Sequence, residues 1–117
     1  MKTITLIVRQ TEISKLFPEG LQLRLTDDAC TIDAVKAFDE ETNRRACKFP
    51  VKGFKSLLHM VYHPYEHRFY EQVAIQAHVR SKPFLNVREN PEMPLPDEVT
   101  IILIPEGGCT TDWEQPV

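Results

Sequence analysis

The sequence predicts an α+β domain: a mixed sheet, one main helix across it, and an extra loop or helical insertion. Three observations carry this. Two N-terminal runs alternate apolar and polar residues, a later stretch carries an apolar stripe at helical spacing, and the C-terminal part returns to strand character. The chain has 117 residues, of which 42% are hydrophobic, enough for one compact core.

In the first run Ile4, Leu6 and Val8 fall opposite Thr3, Thr5 and Arg9, and in the second Leu21, Leu23 and Leu25 fall opposite Gln22, Arg24 and Thr26. A period of two marks a half-buried strand. Phe17-Pro18-Glu19-Gly20 between them suits a tight turn, so the runs pair as an antiparallel hairpin with a long connection.

A helix follows, N-capped by Thr31 or Asp28. Ile32, Val35 and Phe38, with Ala34 and Ala37, form its buried stripe, while Asp39, Glu40, Glu41, Arg44 and Arg45 form a solvated end. Residues 46–70 read as an insertion: a loop at Phe49-Pro50 and Gly53, a short helix from Ser56 to Met60, then an interruption at Pro64.

Strand character returns over Gln72 to Arg80, with a further short strand from Phe84 to Val87. Asn90 to Pro96 is too proline-rich for regular structure. Val99 to Ile104 is almost continuously apolar, which predicts a strand covered on both faces. If the first and last strands lie together in the centre they run parallel, and the helix belongs to the crossover.

A net charge of -3 with scattered Lys and Arg excludes a nucleic-acid binder that works by neutralising phosphates. No apolar run approaches the ~20 residues that span a bilayer. The Met1–Leu6 stretch lacks a signal-peptide pattern, and a cytoplasmic protein with no membrane partner is expected. Three irregularly spaced cysteines, Cys30, Cys47 and Cys109, disfavour a disulfide framework and a four-cysteine zinc site. Cys30 reads as a small buried apolar side chain.

The last strand leads through Pro105 and Glu106 into Gly107-Gly108, followed by the tail Cys109-Thr110-Thr111-Asp112-Trp113-Glu114-Gln115-Pro116-Val117. Two glycines after a strand form a thin stalk able to enter a narrow channel.

The element order resembles the β-grasp arrangement of ubiquitin-like proteins, and in particular the prokaryotic sulfur carriers of thiamine and molybdopterin biosynthesis. Thr31-Ile32-Asp33-Ala34-Val35 is similar to the start of the family helix. Gln72 to Arg80 stands where the middle strand would, and Asp97-Glu98-Val99-Thr100-Ile101-Ile102 resembles the family's turn into the last strand. The resemblance implies a β-grasp domain over residues 1–108, with the insertion at about 46–70, and a removable tail over 109–117. It implies no enzyme and no cofactor of its own. A JAMM-type metalloprotease would cut after Gly108, and a ubiquitin-activating-type adenylating enzyme would use ATP to activate the freed carboxylate. A sulfur-acceptor enzyme or a conjugation target would then receive the product. Gly107, Gly108 and Cys109 would form the acyl-donor and processing site.

Two other readings stand beside it. In a non-conjugating β-grasp interaction module the tail stays attached and the glycines are a structural turn. In a small metal-binding domain, His63 and His67 would use helical i,i+4 spacing to hold an ion, with Glu66 or Glu71 as a further ligand.

Overall fold

In the computed structural model, which describes residues 1–84 and 87–105, a five-stranded mixed sheet carries one long helix across it. The sheet comprises β1 (Lys2–Val8), β2 (Leu21–Leu25), β5 (Val73–Val79), β6 (Lys82–Pro83) and β7 (Val99–Pro105), in the order β2-β1-β7-β5-β6. The helices are α1 (Thr11–Leu16), α2 (Thr31–Ala46) and α3 (Leu57–Val61), and a separate two-stranded hairpin joins β3 (Tyr62–His63) to β4 (Arg68–Phe69).

The central pair is β1 and β7, which run parallel with Leu6 opposite Ile101 and Val8 opposite Leu103. All other ladders are antiparallel. A parallel pair cannot be closed by a tight hairpin, so everything between β1 and β7 belongs to the crossover. Val8 and Leu103, with Ile4, Leu6, Val99 and Ile101, pack with Ala34, Val35 and Phe38 of α2 in one core.

The β1–β2 hairpin is as the sequence predicts, but its connection contains α1. Gln10 caps that helix, its Oε1 accepting from the Ile13 amide at 2.9 Å, and Ile13 is fully buried. Gly20 closes the turn at φ +82, where a Cβ would stand 2.7 Å from Ile7 Cγ1 and 2.8 Å from the Leu6 carbonyl oxygen. Only glycine fits there.

The expected cap of α2 is corrected. Thr31 is the first helical residue, with its hydroxyl buried and unpartnered among the described residues, and Cys30 is the N-cap. Asp33 Oδ2 accepts from the Cys30 amide at 3.0 Å, half of a capping box. Asp28 instead accepts from the Thr26 hydroxyl at 2.7 Å. The expected Phe84–Val87 strand is also displaced. β6 is Lys82–Pro83, extended only by the Phe84 amide donating to the Ala77 carbonyl at 2.8 Å, Val87 lies in a turn, and residues 85–86 lie outside the described residues.

One buried cation ties the crossover to the sheet. Lys2 is 4% exposed, and its Nζ donates to the carbonyls of Asp27 at 2.7 Å, Ala29 at 2.9 Å and Leu95. An ammonium has three donors, and here all three are used. They bind the start of β1 to the loop entering α2 and the loop entering β7. Lys2→Met should therefore cost about 3 kcal/mol, because two buried carbonyls and a part-buried third lose a charged donor. A urea melt would read it as a lowered midpoint with an unchanged slope.

Arg80 and Ser81 connect β5 to β6 at φ 52 and 70, the geometry of a two-residue turn that favours Asn-Gly. Replacing Arg80→Asn together with Ser81→Gly should stabilise the protein by about 1 kcal/mol, since the exposed Arg80–Glu98 pair it removes is worth little. Thermal unfolding of the double variant checks this.

Candidate functional site

The sequence directs attention to the end of β7, where the chain leaves the sheet. Pro105 pairs with Val73 on one side, and on the other the Arg9 amide donates to the Leu103 carbonyl at 2.9 Å. β7 is thus paired with β5 to its last residue and on the β1 side as far as Leu103. Gly107, Gly108 and Cys109, the expected donor and processing residues, lie outside the described residues, as does the rest of the tail.

The start of β7 is fixed by the turn that carries the family-like residues. Asp97 Oδ1 accepts from the Thr3 amide at 2.8 Å and from the Glu98 amide at 3.0 Å, and that second amide also donates to the Thr3 carbonyl at 2.9 Å. Glu98 adopts φ 60 to make this possible. The role of Asp97 is therefore to set the register of β7 against β1. Both amides favour its charged form, the Thr3 amide most, and hold the carboxyl below its ordinary value of 3.8.

The expectation that β7 is covered on both faces is corrected. Its burial alternates strictly, as does that of β1, with one face buried and the other half-buried. On the outer face Ile7 stands opposite Ile102, Ile104 follows two residues later, and Ala74 stands opposite Ile104. Aliphatic side chains are unusual on the open side of a sheet, which ordinarily reads as polar. They lie at the end of the sheet from which the chain departs.

The insertion is built around a side chain the sequence placed in solvent. Asp39, in the middle of α2, accepts from the amides of Leu57 at 2.6 Å and Leu58 at 3.1 Å, so it caps α3 from outside. Ser56 completes the cap, its Oγ accepting from the His59 amide at 3.0 Å. Burial raises the Asp39 carboxyl above its ordinary value, outweighing the two amides that lower it. Glu40 does face solvent, while Glu41, its side chain only 18% exposed, pairs with Arg44 and Arg45. No periodicity in the sequence marks Asp39 as different from its acidic neighbours.

His63 and His67 fall on the β3–β4 hairpin rather than on a helix. His63 Nδ1 accepts from the Tyr65 and Glu66 amides, both at 3.2 Å, and its Nε2 stands 3.2 Å from Glu66 Oε2. Both ring nitrogens are committed to holding the turn. His67 sits in that turn at φ 54 and instead lines, with His59, Lys36 and Glu92, a groove of about 450 Å³ between α2, α3 and the hairpin. The helical spacing that suggested a His63–His67 pair is not realised, and among the described residues no group of three or more His, Cys, Asp or Glu is gathered for a metal.

Cys30 is buried, and burial pushes its thiol up, away from nucleophilic behaviour. Cys47 is exposed at the left-handed C-cap of α2. No helix among the described residues is long and apolar enough to cross a membrane. Comparison with family models, with characterised proteins and with solved structures returns no match.

The two perturbed aspartates predict opposite pH responses. Asp97 has a lowered folded pKa, so its contribution is complete above its ordinary value of 3.8 and is lost as pH falls through the folded value. Asp97→Asn should flatten that acid limb of stability. Asp39 has a raised folded pKa, so the folded state holds its proton longer, and stability falls as pH climbs from 3.8 through the raised value. Asp39→Asn should abolish that fall, while Asp39→Ala should cost about 1 kcal/mol by uncapping α3. Denaturant midpoints between pH 3 and pH 7, compared with the parent, check both signs.

Proposed function

We propose that this protein is a ubiquitin-like β-grasp carrier made with a short removable tail, and that Gly108 becomes its acyl donor once the tail is cut. The observation that carries this reading is the place of β7: a central strand, parallel to β1, that leads at Pro105 toward the glycine pair two residues on. The sheet order, with α2 in the crossover, is compatible with a β-grasp.

With Cys109 attached, the Gly108 carbonyl is an amide and cannot be activated. A JAMM-type protease would free the carboxylate. Its oxygen would attack the α-phosphorus of ATP on an adenylating enzyme, pyrophosphate would leave, and a sulfur, thiol or amine nucleophile would displace AMP. A carboxylate is a poor acyl donor and the adenylate a good one, so the carrier needs no catalytic side chain. Gly107 and Gly108 lack a Cβ and let the stalk lie extended against the partner's backbone. The outer face around Ile7, Ile102 and Ile104 would be the docking surface.

That same face supports a second reading, a β-grasp interaction module that keeps its tail. Intact mass separates the two. Protein recovered from its own cells should lack the mass of Cys109–Val117, and the form ending at Gly108 should gain an adenylate when given ATP and the activating enzyme, with release of pyrophosphate, or exchange one oxygen for sulfur when a sulfide donor is added to displace AMP. Gly108→Ala should suppress that product at least tenfold. A full-length mass in all conditions, with partner binding untouched by Gly108→Ala but lost in Ile102→Asp, would establish the interaction module instead.

A further inference from the structure

We propose that the groove between α2, α3 and the β3–β4 hairpin binds a small monocarboxylate with an apolar body, its carboxylate held by Lys36 and His59. The groove has a volume of about 450 Å³, and its apolar walls come from Ile32, Leu58, Tyr62 and Pro64. Clefts of this size, apolar with a few polar groups at the margin, are where small ligands bind. It lies on the helix side of the sheet, across from Ile7, Ile102 and Ile104, and does not rest on the carrier reading.

The walls are fixed by the protein's own interior. Leu57, Met60 and Val61 of α3 are fully buried, and Asp39 caps that helix from α2, which turns Leu58 and His59 toward the groove. Tyr62 packs edge-on to Phe69 with ring centroids 5.4 Å apart, and the Tyr70 amide donates to the Val61 carbonyl at 3.0 Å, so the hairpin is tied back to α3. Tyr62 is only 8% exposed, yet its hydroxyl has no hydrogen-bond partner among the described residues, and the groove is the opening it borders. A site whose walls are already ordered gives up little freedom on binding.

Charge gives the ligand its sign. Ile32 and Lys36 stand one turn apart on α2 and border the same groove, and the exposed Lys36 ammonium has no ion-pair partner among the described residues. His59 adds a donor, because its Nδ1 accepts from the Lys55 amide at 3.1 Å and so leaves the proton of the neutral ring on Nε2. Ammonium and imidazole N–H groups both make charge-assisted hydrogen bonds to a carboxylate. His67 is a third basic group at the margin, against the single carboxylate of Glu92. Glu92 follows Pro91, whose carbonyl accepts from the Ile32 amide at 3.4 Å, so it stands beside the first turn of α2, and Lys36 lies one turn, about 5 Å, farther on. Burial, and then the Glu92 carboxylate, raise the Tyr62 hydroxyl above its ordinary value of 10.0, which puts that carboxylate near the buried ring. A second carboxylate on the ligand would meet Glu92. One anionic end and an apolar remainder is the fit.

Octanoate is the probe. Added to the full-length protein, it should shift the amide resonances of Lys36, Leu58, His59 and His67 and saturate below about 5 mM, leaving those of Ile7 and Ile102 in place. At equal concentration 1-octanol, which lacks the carboxylate, and suberate, which adds a second one, should each bind about tenfold more weakly. Lys36→Met should weaken octanoate about tenfold. Lys36 is exposed and its side chain makes no hydrogen bond among the described residues, so thermal unfolding of that variant should match the parent. Glu92→Gln should bring suberate to the level of octanoate. No saturable shift up to about 5 mM octanoate, equal binding of octanoate and octanol, or octanoate binding untouched by Lys36→Met would each overturn the proposal. So would suberate binding as tightly as octanoate, a suberate deficit that Glu92→Gln does not relieve, or shifts confined to the outer face of the sheet.

Discussion

The fold depends on a constraint at one end of the sheet, and Lys2 meets it. When the first strand is central, the loop that enters the long helix and the loop that enters the last strand must converge beside the first strand's start. Three backbone carbonyls, those of Asp27, Ala29 and Leu95, arrive there, none of them on a strand of the sheet. Buried carbonyls need donors, and the ammonium at position 2 supplies one to each. Neighbouring bonds reinforce the junction: the Leu95 amide donates to Ala29 at 2.9 Å, and Cys30 bridges to Pro94. Asp97 then locks the next residues of the chain onto Thr3. The entry of β7 into the centre of the sheet is thus specified by polar groups, and its passage along the sheet by apolar ones.

That division explains what the sequence made legible. Strands β1, β2, β5 and β7 and helix α2 announce themselves because hydrophobic periodicity records which residues face the core. The short helix from Ser56 to Met60 is legible between the loop at Gly53 and the interruption at Pro64, although its cap is not. What stays hidden rests on single polar contacts between distant segments. Asp39 looks like one of three surface acids until α3 is folded against it, and Lys2 looks like an ordinary N-terminal charge. The α1 turn has only six residues and one buried side chain, Ile13, too few for a period to show. The continuous apolar run of β7 predicts two covered faces because composition cannot say whether the second cover exists.

The second face is where the candidate site and the sheet meet. The glycine pair could be read directly, but its meaning depends on what surrounds the exit, and the exit is a property of topology. At an edge strand, residues leaving the sheet could simply continue the ladder or pair with another chain. β7 is central, flanked by β1 and β5, and the aliphatic side chains on the outer face nearest its end are Ile104, Ile102 and Ile7.

The outer isoleucines give that end of the sheet a character its open face lacks elsewhere. Ile7, Ile102 and Ile104 are half-buried, where Thr3, Thr5 and Thr100 stand on the same face farther along β1 and β7. An aliphatic patch of this kind favours association. In the carrier proposed above, a partner docking on it would meet the end of β7 in the same encounter, so recognition of the sheet and use of the chain beyond Pro105 would be one event rather than two.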